Sequence, residues 1–141
     1  MVPPAITVRL ATLADLEFVQ QDHFLQADVV KRKIEWQEVF IAEWHSTPVG
    51  YLRIEYLWSL VPYIALIHVL PMHRRKGIGK ALLHYLEEFL KAKEHSTLYS
   101  SSQVDEVEPQ EWHRHVGFKE CGIITGINPH GVGEVFFRKG L

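Results

Sequence analysis

A chain of 141 residues, 47% hydrophobic and 23% charged, can bury a real core, and its length suits one domain over residues 1–141. Fifteen Lys and Arg against 17 Asp and Glu give a formal net charge of -2, so no global field draws it to nucleic acid or an anionic membrane. The single cysteine, Cys121, excludes an internal disulfide, and Met1-Val2-Pro3-Pro4 has neither the basic nor the apolar part of a signal peptide, so a cytoplasmic address is expected.

Ile6 to Leu10 reads as a strand, followed by Thr12 as N-cap of a helix carrying Leu13, Leu16, Phe18 and Val19. A second helical piece is expected near Val29 to Trp36, and the polar stretch Gln20 to Asp28 between the two suits one wall of a substrate cleft. Val39 to Trp44 and Val49 to Ile54 form a hairpin around a turn with Ser46, Thr47 and Pro48. Tyr63 to Leu70 is continuously apolar, hence a strand covered on both faces and closed by Pro71. The apolar stretch from Leu57 to Leu70 is broken by Ser59, Pro62 and His68 and is too short for a membrane helix of about 20 residues. From Gly77 onward, Ile78, Leu82, Tyr85, Leu86, Phe89 and Leu90 recur at helical spacing. Leu98 to Ser102 is a strand, Pro109 to Val116 a helix ended by Gly117, and Phe118 to Thr125 and Val135 to Arg138 are closing strands joined by Asn128-Pro129-His130-Gly131. The architecture is α/β with a mixed sheet.

Chemistry concentrates in Pro71-Met72-His73-Arg74-Arg75-Lys76-Gly77-Ile78-Gly79-Lys80. A glycine-bearing turn at a helix start offers unpaired N–H groups and the positive end of the helix dipole, and glycine lets a bulky anion approach the backbone. Three consecutive cations strengthen that local field, so phosphate is the natural ligand. A P-loop would need Ser or Thr where Ala81 stands, and a dinucleotide fingerprint would need Gly or Ala where Leu82 stands. A nucleic-acid reader would need a longer basic patch than Arg74 to Lys76.

Val69-x-Pro71-x-x-Arg74-x-x-Gly77-x-Gly79, followed by Lys80-Ala81-Leu82-Leu83, resembles the acetyl-CoA-binding motif of the GNAT superfamily of N-acetyltransferases, and the order of elements is similar over nearly the whole chain. Trp112-His113-Arg114-His115-Val116-Gly117-Phe118 resembles a second family motif, aromatic-Tyr-x-x-x-Gly-Phe. The resemblance implies a mostly antiparallel mixed sheet of six to seven strands flanked by about four helices and splayed at the strand before the CoA loop. It implies acetyl-CoA as co-substrate, with Arg74 and the backbone amides of Arg75, Lys76, Gly77, Ile78, Gly79 and Lys80 at the pyrophosphate. Val69 and Leu70 are implied at the pantetheine, an amide near Val69 polarising the acetyl carbonyl. The implied reaction is direct attack of a primary amine, of a small molecule, amino acid or protein, on the thioester. No metal, nucleic acid or membrane is called for, and a homodimer stays open.

His113 stands where the family pattern has tyrosine. Either it handles a proton or it is a polar helix residue, and Tyr99 and Tyr63 are alternative phenols. Some family members carry a glutamate where Tyr63 stands, so the base is open among His68, Glu106, Glu108 and a water relay. His68 has the competing reading of a hydrogen-bonded core residue. Cys121 is expected to be a small buried strand residue. His113 and His115 diverge on a helix, and His84 with Glu88 supplies only two ligands, so no metal is expected. Trp36, Trp58 and Trp112 are expected in the core rather than lining a cleft. A catalytically silent acyl-CoA-binding module is the alternative function.

Overall fold

The computed structural model describes residues 4–141. Seven strands, β1 (Ile6–Leu10), β2 (Val39–Trp44), β3 (Thr47–Leu57), β4 (Val61–Val69), β5 (Thr97–Gln103), β6 (Lys119–Ile124) and β7 (Glu134–Gly140), lie in the order β1-β2-β3-β4-β5-β7-β6. The α-helices among the described residues are α1 (Ala27–Glu35), α2 (Ile78–Ala92) and α3 (Val107–His115). The expected mostly antiparallel sheet is observed, and β4 and β5 pair in parallel. Among the described residues no helix is long and apolar enough to cross a membrane. The chain divides into two units: Met1–Ile54 with Leu66–Phe89, and Glu55–Ala65 with Leu90–Leu141.

In the first unit β1 pairs antiparallel with β2 from Ile6↔Trp44 to Leu10↔Phe40. Successive β2 side chains point to opposite faces. Val39 and Ile41 join Val30 and Ile34 of α1, with Ala11, Val19 and Tyr51, in one core cluster. Phe40 meets Tyr85 and Phe89 of α2 edge-on, at ring separations of 5.9 and 5.2 Å. That explains why β2 reads as an unbroken apolar run: a helix covers each face. On α2, Ile78, Leu82, Leu83, Leu86 and Leu90 are buried, at roughly 1.5–3 kcal/mol of transfer free energy each. Helix α1 ends where Gln37 takes a positive φ of 60° and Glu38 N–H returns to the Lys33 carbonyl at 2.9 Å.

Several local expectations are corrected. Thr12 starts a 3-10 turn, Leu13–Asp15, and Phe18–Gln20 is another, so the first helix is two short turns. The Thr12 N–H is held by the Asp15 carboxylate at 2.8 Å, a tight local bond that favours a turn over a longer helix. The β2–β3 turn is His45–Ser46, with φ of 47° and 69°, and Pro48 sits in β3 opposite Glu43, at a bulge that tolerates its missing N–H. Two-sided coverage belongs to β2 and to β3 from Val49 to Ile54; Leu66 to Val69 of β4, and Leu70 after it, are only half-buried. Trp36 and Trp58 are exposed, each beside a positive-φ turn, and Trp112 is half-buried.

In the second unit β5 pairs antiparallel with β7 from Thr97↔Gly140 to Gln103↔Glu134, and β6 pairs with β7 at the sheet's edge. Every β6 residue is exposed, Cys121 included. Its expected burial fails because an edge strand has a neighbour on one side only, and the register shifts at Cys121 between Glu120 and Gly122. Desolvation holds the Cys121 thiol above its ordinary value, the opposite of an activated nucleophile.

Candidate active site

Strand β4 ends at Val69, and a 3-10 turn, Pro71–His73, leads to Arg74 in extended backbone. Arg75 and Gly77 then take positive φ, 63° and 82°, on either side of Lys76, before α2 begins at Ile78. Two left-handed residues so close together bend the chain sharply into the helix start. The first turn closes with Ala81 N–H on the Gly77 carbonyl at 3.0 Å, so the N–H groups preceding it lie at the open, positive end of the helix. A Cβ at Gly77 would meet nothing within 4 Å, leaving room for a ligand against the backbone. Arg74, Arg75 and Lys76 are exposed, with Lys76 Nζ seated 4.4 Å from the Trp44 ring centre. The free N–H groups of a helix start beside three cations fit a pyrophosphate.

The expected backbone groups of Val69 and Leu70 are partly engaged. The Leu70 N–H donates to the Val49 carbonyl at 2.8 Å, which corrects its reading as a free donor, and the Val69 carbonyl accepts from Arg74 Nε at 3.3 Å. Arg74 therefore braces the end of β4 as well as adding charge. Sequence reasoning passed over Gly50. A Cβ there would lie 3.0 Å from the His68 carbonyl oxygen and 3.3 Å from Ile78 Cγ2, so only glycine allows β4 and the start of α2 to come this close to β3. A lone glycine inside a strand pattern was the available signal.

The Gln20 to Asp28 segment carries a second unforeseen feature. Asp22 accepts hydrogen bonds from Arg53 Nη1 and Nη2 at 2.6 and 3.2 Å and from the Tyr51 hydroxyl. Burial alone would raise its pKa, but the bonds from Arg53 and Tyr51 overcome that and lower it to about 2. Burial and the Asp22 charge hold the Tyr51 phenol well above its ordinary value. The His68 ring lies 5.3 Å from Tyr51, and burial, aided by the Arg74 charge and opposed by Asp22, lowers its pKa. The segment also contributes Gln20, Gln21 and His23, with Glu17, to an open groove of about 390 Å³.

In the second unit β5 is split by face. Leu98, Ser100 and Ser102 are buried, while Thr97, Tyr99, Ser101 and Gln103 are half-exposed. His113 of α3 belongs to the closed face. Its Nδ1 lies 2.7 Å from the Pro109 carbonyl, which can only accept, so Nδ1 carries the hydrogen and Nε2 accepts from Ser100 Oγ at 2.7 Å. The ring stacks on Phe137 at 4.5 Å and is 5% exposed. Both nitrogens are thus satisfied internally, the geometry of a packing histidine. Tyr99 lies on the other face, paired in register with Tyr63 of β4. Tyr63 Oη is 2.5 Å from Ser101 Oγ, which donates to Glu134 Oε2 at 2.6 Å. Glu106 and Glu108 are solvated at the start of α3, and His84 and Glu88 are exposed on α2.

Burial lowers the His113 pKa from its ordinary 6.5. The unfolded chain then takes up the proton first, so the ring's contribution to stability is whole above about pH 6.5 and shrinks below it. His113→Phe should lower stability at pH 8 by about 1–3 kcal/mol, since Ser100 loses its partner, and should remove this part of the acid loss. Denaturant titrations at pH 8 and 5.5 check it; an unchanged pH dependence would refute the buried, neutral ring.

An α/β sheet with a phosphate-fitting turn between a strand and a helix has the geometry of proteins that hold a phosphorylated ligand at a helix start. The Acetyltransferase (GNAT) family model matches residues 8–118, and the chain belongs to that family. Among curated proteins none matches the chain. Solved structures do. A GNAT-family acetyltransferase from Bacillus cereus ATCC 10987 is similar at 22% identity over 96% of both chains, with a TM-score of 0.79. The ribosomal-protein-alanine N-acetyltransferase from Brucella melitensis is 21% identical over 96% of this chain and 99% of its own, TM-score 0.82. The yncA structure from Salmonella typhimurium, with its cofactor acetyl-CoA, is 16% identical over 98% and 95%, TM-score 0.83. At such identities the likeness establishes the fold.

Proposed function

We propose that the protein is an N-acetyltransferase that moves acetyl from acetyl-CoA to a primary amine of a small molecule or peptide, in a ternary complex and in the cytoplasm. The observation that carries this reading is the pair of left-handed residues, Arg75 and Gly77, at the start of α2 beneath three exposed cations. The amides of residues 75–80 take the pyrophosphate, Arg74 keeps β4 and the loop in register, and the Val69 N–H stabilises the oxygen that gains charge as the amine adds to the thioester carbonyl. Collapse of that adduct breaks the C–S bond and leaves amide and CoA thiolate. Tyr99, on the half-exposed face of β5, is the phenol assigned to the reaction. His113 serves packing in this scheme, and its geometry gives no support to an acid role.

CoA release from acetyl-CoA over a panel of polyamines, amino acids and peptide amines tests the proposal. Amine-dependent, saturable release is expected. Saturable acetyl-CoA binding with no release on any amine is the result that a silent binding module would give, and it would overturn the transferase reading.

A further inference from the structure

Of the three cations before α2, two have partners that fix their side chains. Arg74 braces the end of β4 through the Val69 carbonyl. Lys76 is held by aromatic rings, and the pattern of β2 explains how. Alternate residues of a strand share a face, so Trp44 lies on the side of β2 from which Phe40 meets Tyr85 and Phe89 of α2. Phe40 reaches the body of the helix; Trp44, at the end of the strand, reaches the turn that starts it. There Lys76 Nζ sits 4.4 Å from the indole centre and 3.3 Å from His73 Nδ1, and the His73 ring lies 6.2 Å from Trp44. The ring of His45, in the β2–β3 turn, packs edge-on against the same indole at 5.0 Å and 86°.

Each of these contacts suits a cation without neutralising it. Indole is the best of the aromatic partners for an ammonium group. An ammonium only donates, so His73 Nδ1 accepts and the imidazole hydrogen stands on Nε2. Of the three ammonium hydrogens, His73 takes one and the ring face draws another, which leaves one for a further acceptor. Among the described residues no carboxylate pairs with Lys76, so its charge stays available to an incoming anion. The consequence is entropic. A free lysine side chain loses much of its rotamer freedom when a ligand fixes it, whereas Lys76 is ordered before any ligand arrives.

We propose that Trp44 and His73 are positioning residues that hold the Lys76 ammonium as a preformed clamp for a phosphate oxygen of acetyl-CoA. Lys76 touches the donor; Trp44 and His73 act only through it. The backbone amides keep the role given above, and the clamp adds a side-chain contact whose geometry is set in the ligand-free protein. All of its members belong to the first unit. The ligand chemistry is a phosphate oxygen, supplied by the pyrophosphate or by the ribose phosphate. The inference rests on the reading of this loop as the acetyl-CoA site.

Binding of acetyl-CoA to the full chain, measured by calorimetry for the parent, Trp44→Leu, Lys76→Gln and the two combined, tests the clamp. Lys76→Gln is expected to raise the dissociation constant about tenfold and Trp44→Leu about fivefold. The double variant should lose no more than Lys76→Gln, because Trp44 then has nothing to position. Trp44→Phe keeps an aromatic face and should recover most of the affinity. In nuclear magnetic resonance spectra of the ligand-free parent, the indole ring current should shift the ε-methylene protons of Lys76 upfield, and Trp44→Leu should return them to the position of a free lysine. Dephospho-CoA, which lacks the ribose phosphate, identifies the contact: a Lys76→Gln effect that vanishes with it assigns that phosphate, one that persists assigns the pyrophosphate, and either upholds the clamp. If Trp44→Leu fails to fold, His73→Ala combined with Lys76→Gln carries the same cycle. A Trp44→Leu constant within about twofold of the parent, single losses that multiply in the double variant, or unshifted Lys76 protons in the parent overturns the clamp and leaves the donor site standing. A parent that fails to bind acetyl-CoA overturns both.

Discussion

Gly77→Glu is expected to raise the acetyl-CoA dissociation constant at least about 100-fold by isothermal titration calorimetry, a loss of roughly 3 kcal/mol. Two effects combine. Residue 77 holds φ of 82°, which costs an L-residue about 1–2 kcal/mol, and the new carboxylate sits where the pyrophosphate must come. The variant should still fold. A Cβ at this position meets no atom within 4 Å, and an acidic group near a helix N-terminus favours the helix. Gly77→Ala separates the contributions, since it keeps the strain without the charge and should weaken binding by about tenfold or less. An unchanged constant for Gly77→Glu would remove this loop from the donor site.

Asp22→Ala is expected to cost about 3–5 kcal/mol of unfolding free energy, a large part of the roughly 5–15 kcal/mol of a whole domain. The Asp22 and Arg53 side chains are only 7% and 4% exposed, so removing the carboxylate strands a buried guanidinium and also orphans the Tyr51 hydroxyl. The same pair predicts an acid transition. With its pKa lowered from 3.8 to about 2, Asp22 contributes stability that is complete above about pH 4 and is lost as pH falls through 2, about 2 kcal/mol in all. Urea titrations of parent and variant from pH 7 to pH 2 measure both. A loss under about 1 kcal/mol at pH 7 would mean that the pair is solvated.

Local patterns made much of this fold legible. Apolar spacing from Ile78 to Leu90 located α2, Leu98 to Ser102 and Val135 to Arg138 read as the strands that became β5 and β7, and the spacing of Val69, Pro71, Arg74, Gly77 and Gly79 located the phosphate-fitting turn. What escaped was set by partners distant in sequence. Nothing adjacent to Asp22 announces Arg53, 31 residues away, and nothing near Tyr63 announces Ser101, 38 residues away. His113 is the converse case. A motif position suggested proton chemistry, and only the Pro109 carbonyl, Ser100 and the Phe137 ring show its two nitrogens engaged. Cys121 was misplaced because burial of a short strand depends on its rank in the sheet, which spacing does not encode.

The turn before α2 divides its work between two kinds of atom, and that division has a kinetic consequence. Arg74, Arg75 and Lys76 are exposed, and the attraction of such charges for an anion extends over about a Debye length, roughly 8 Å at physiological salt. The amides shaped by the positive φ of Arg75 and Gly77 act only at contact, where little salt intervenes. Encounter is therefore governed by charges that salt screens, and residence by a backbone that salt barely touches. On the transferase reading, the cell's ionic strength sets how fast this loop captures acetyl-CoA far more than how long it holds it.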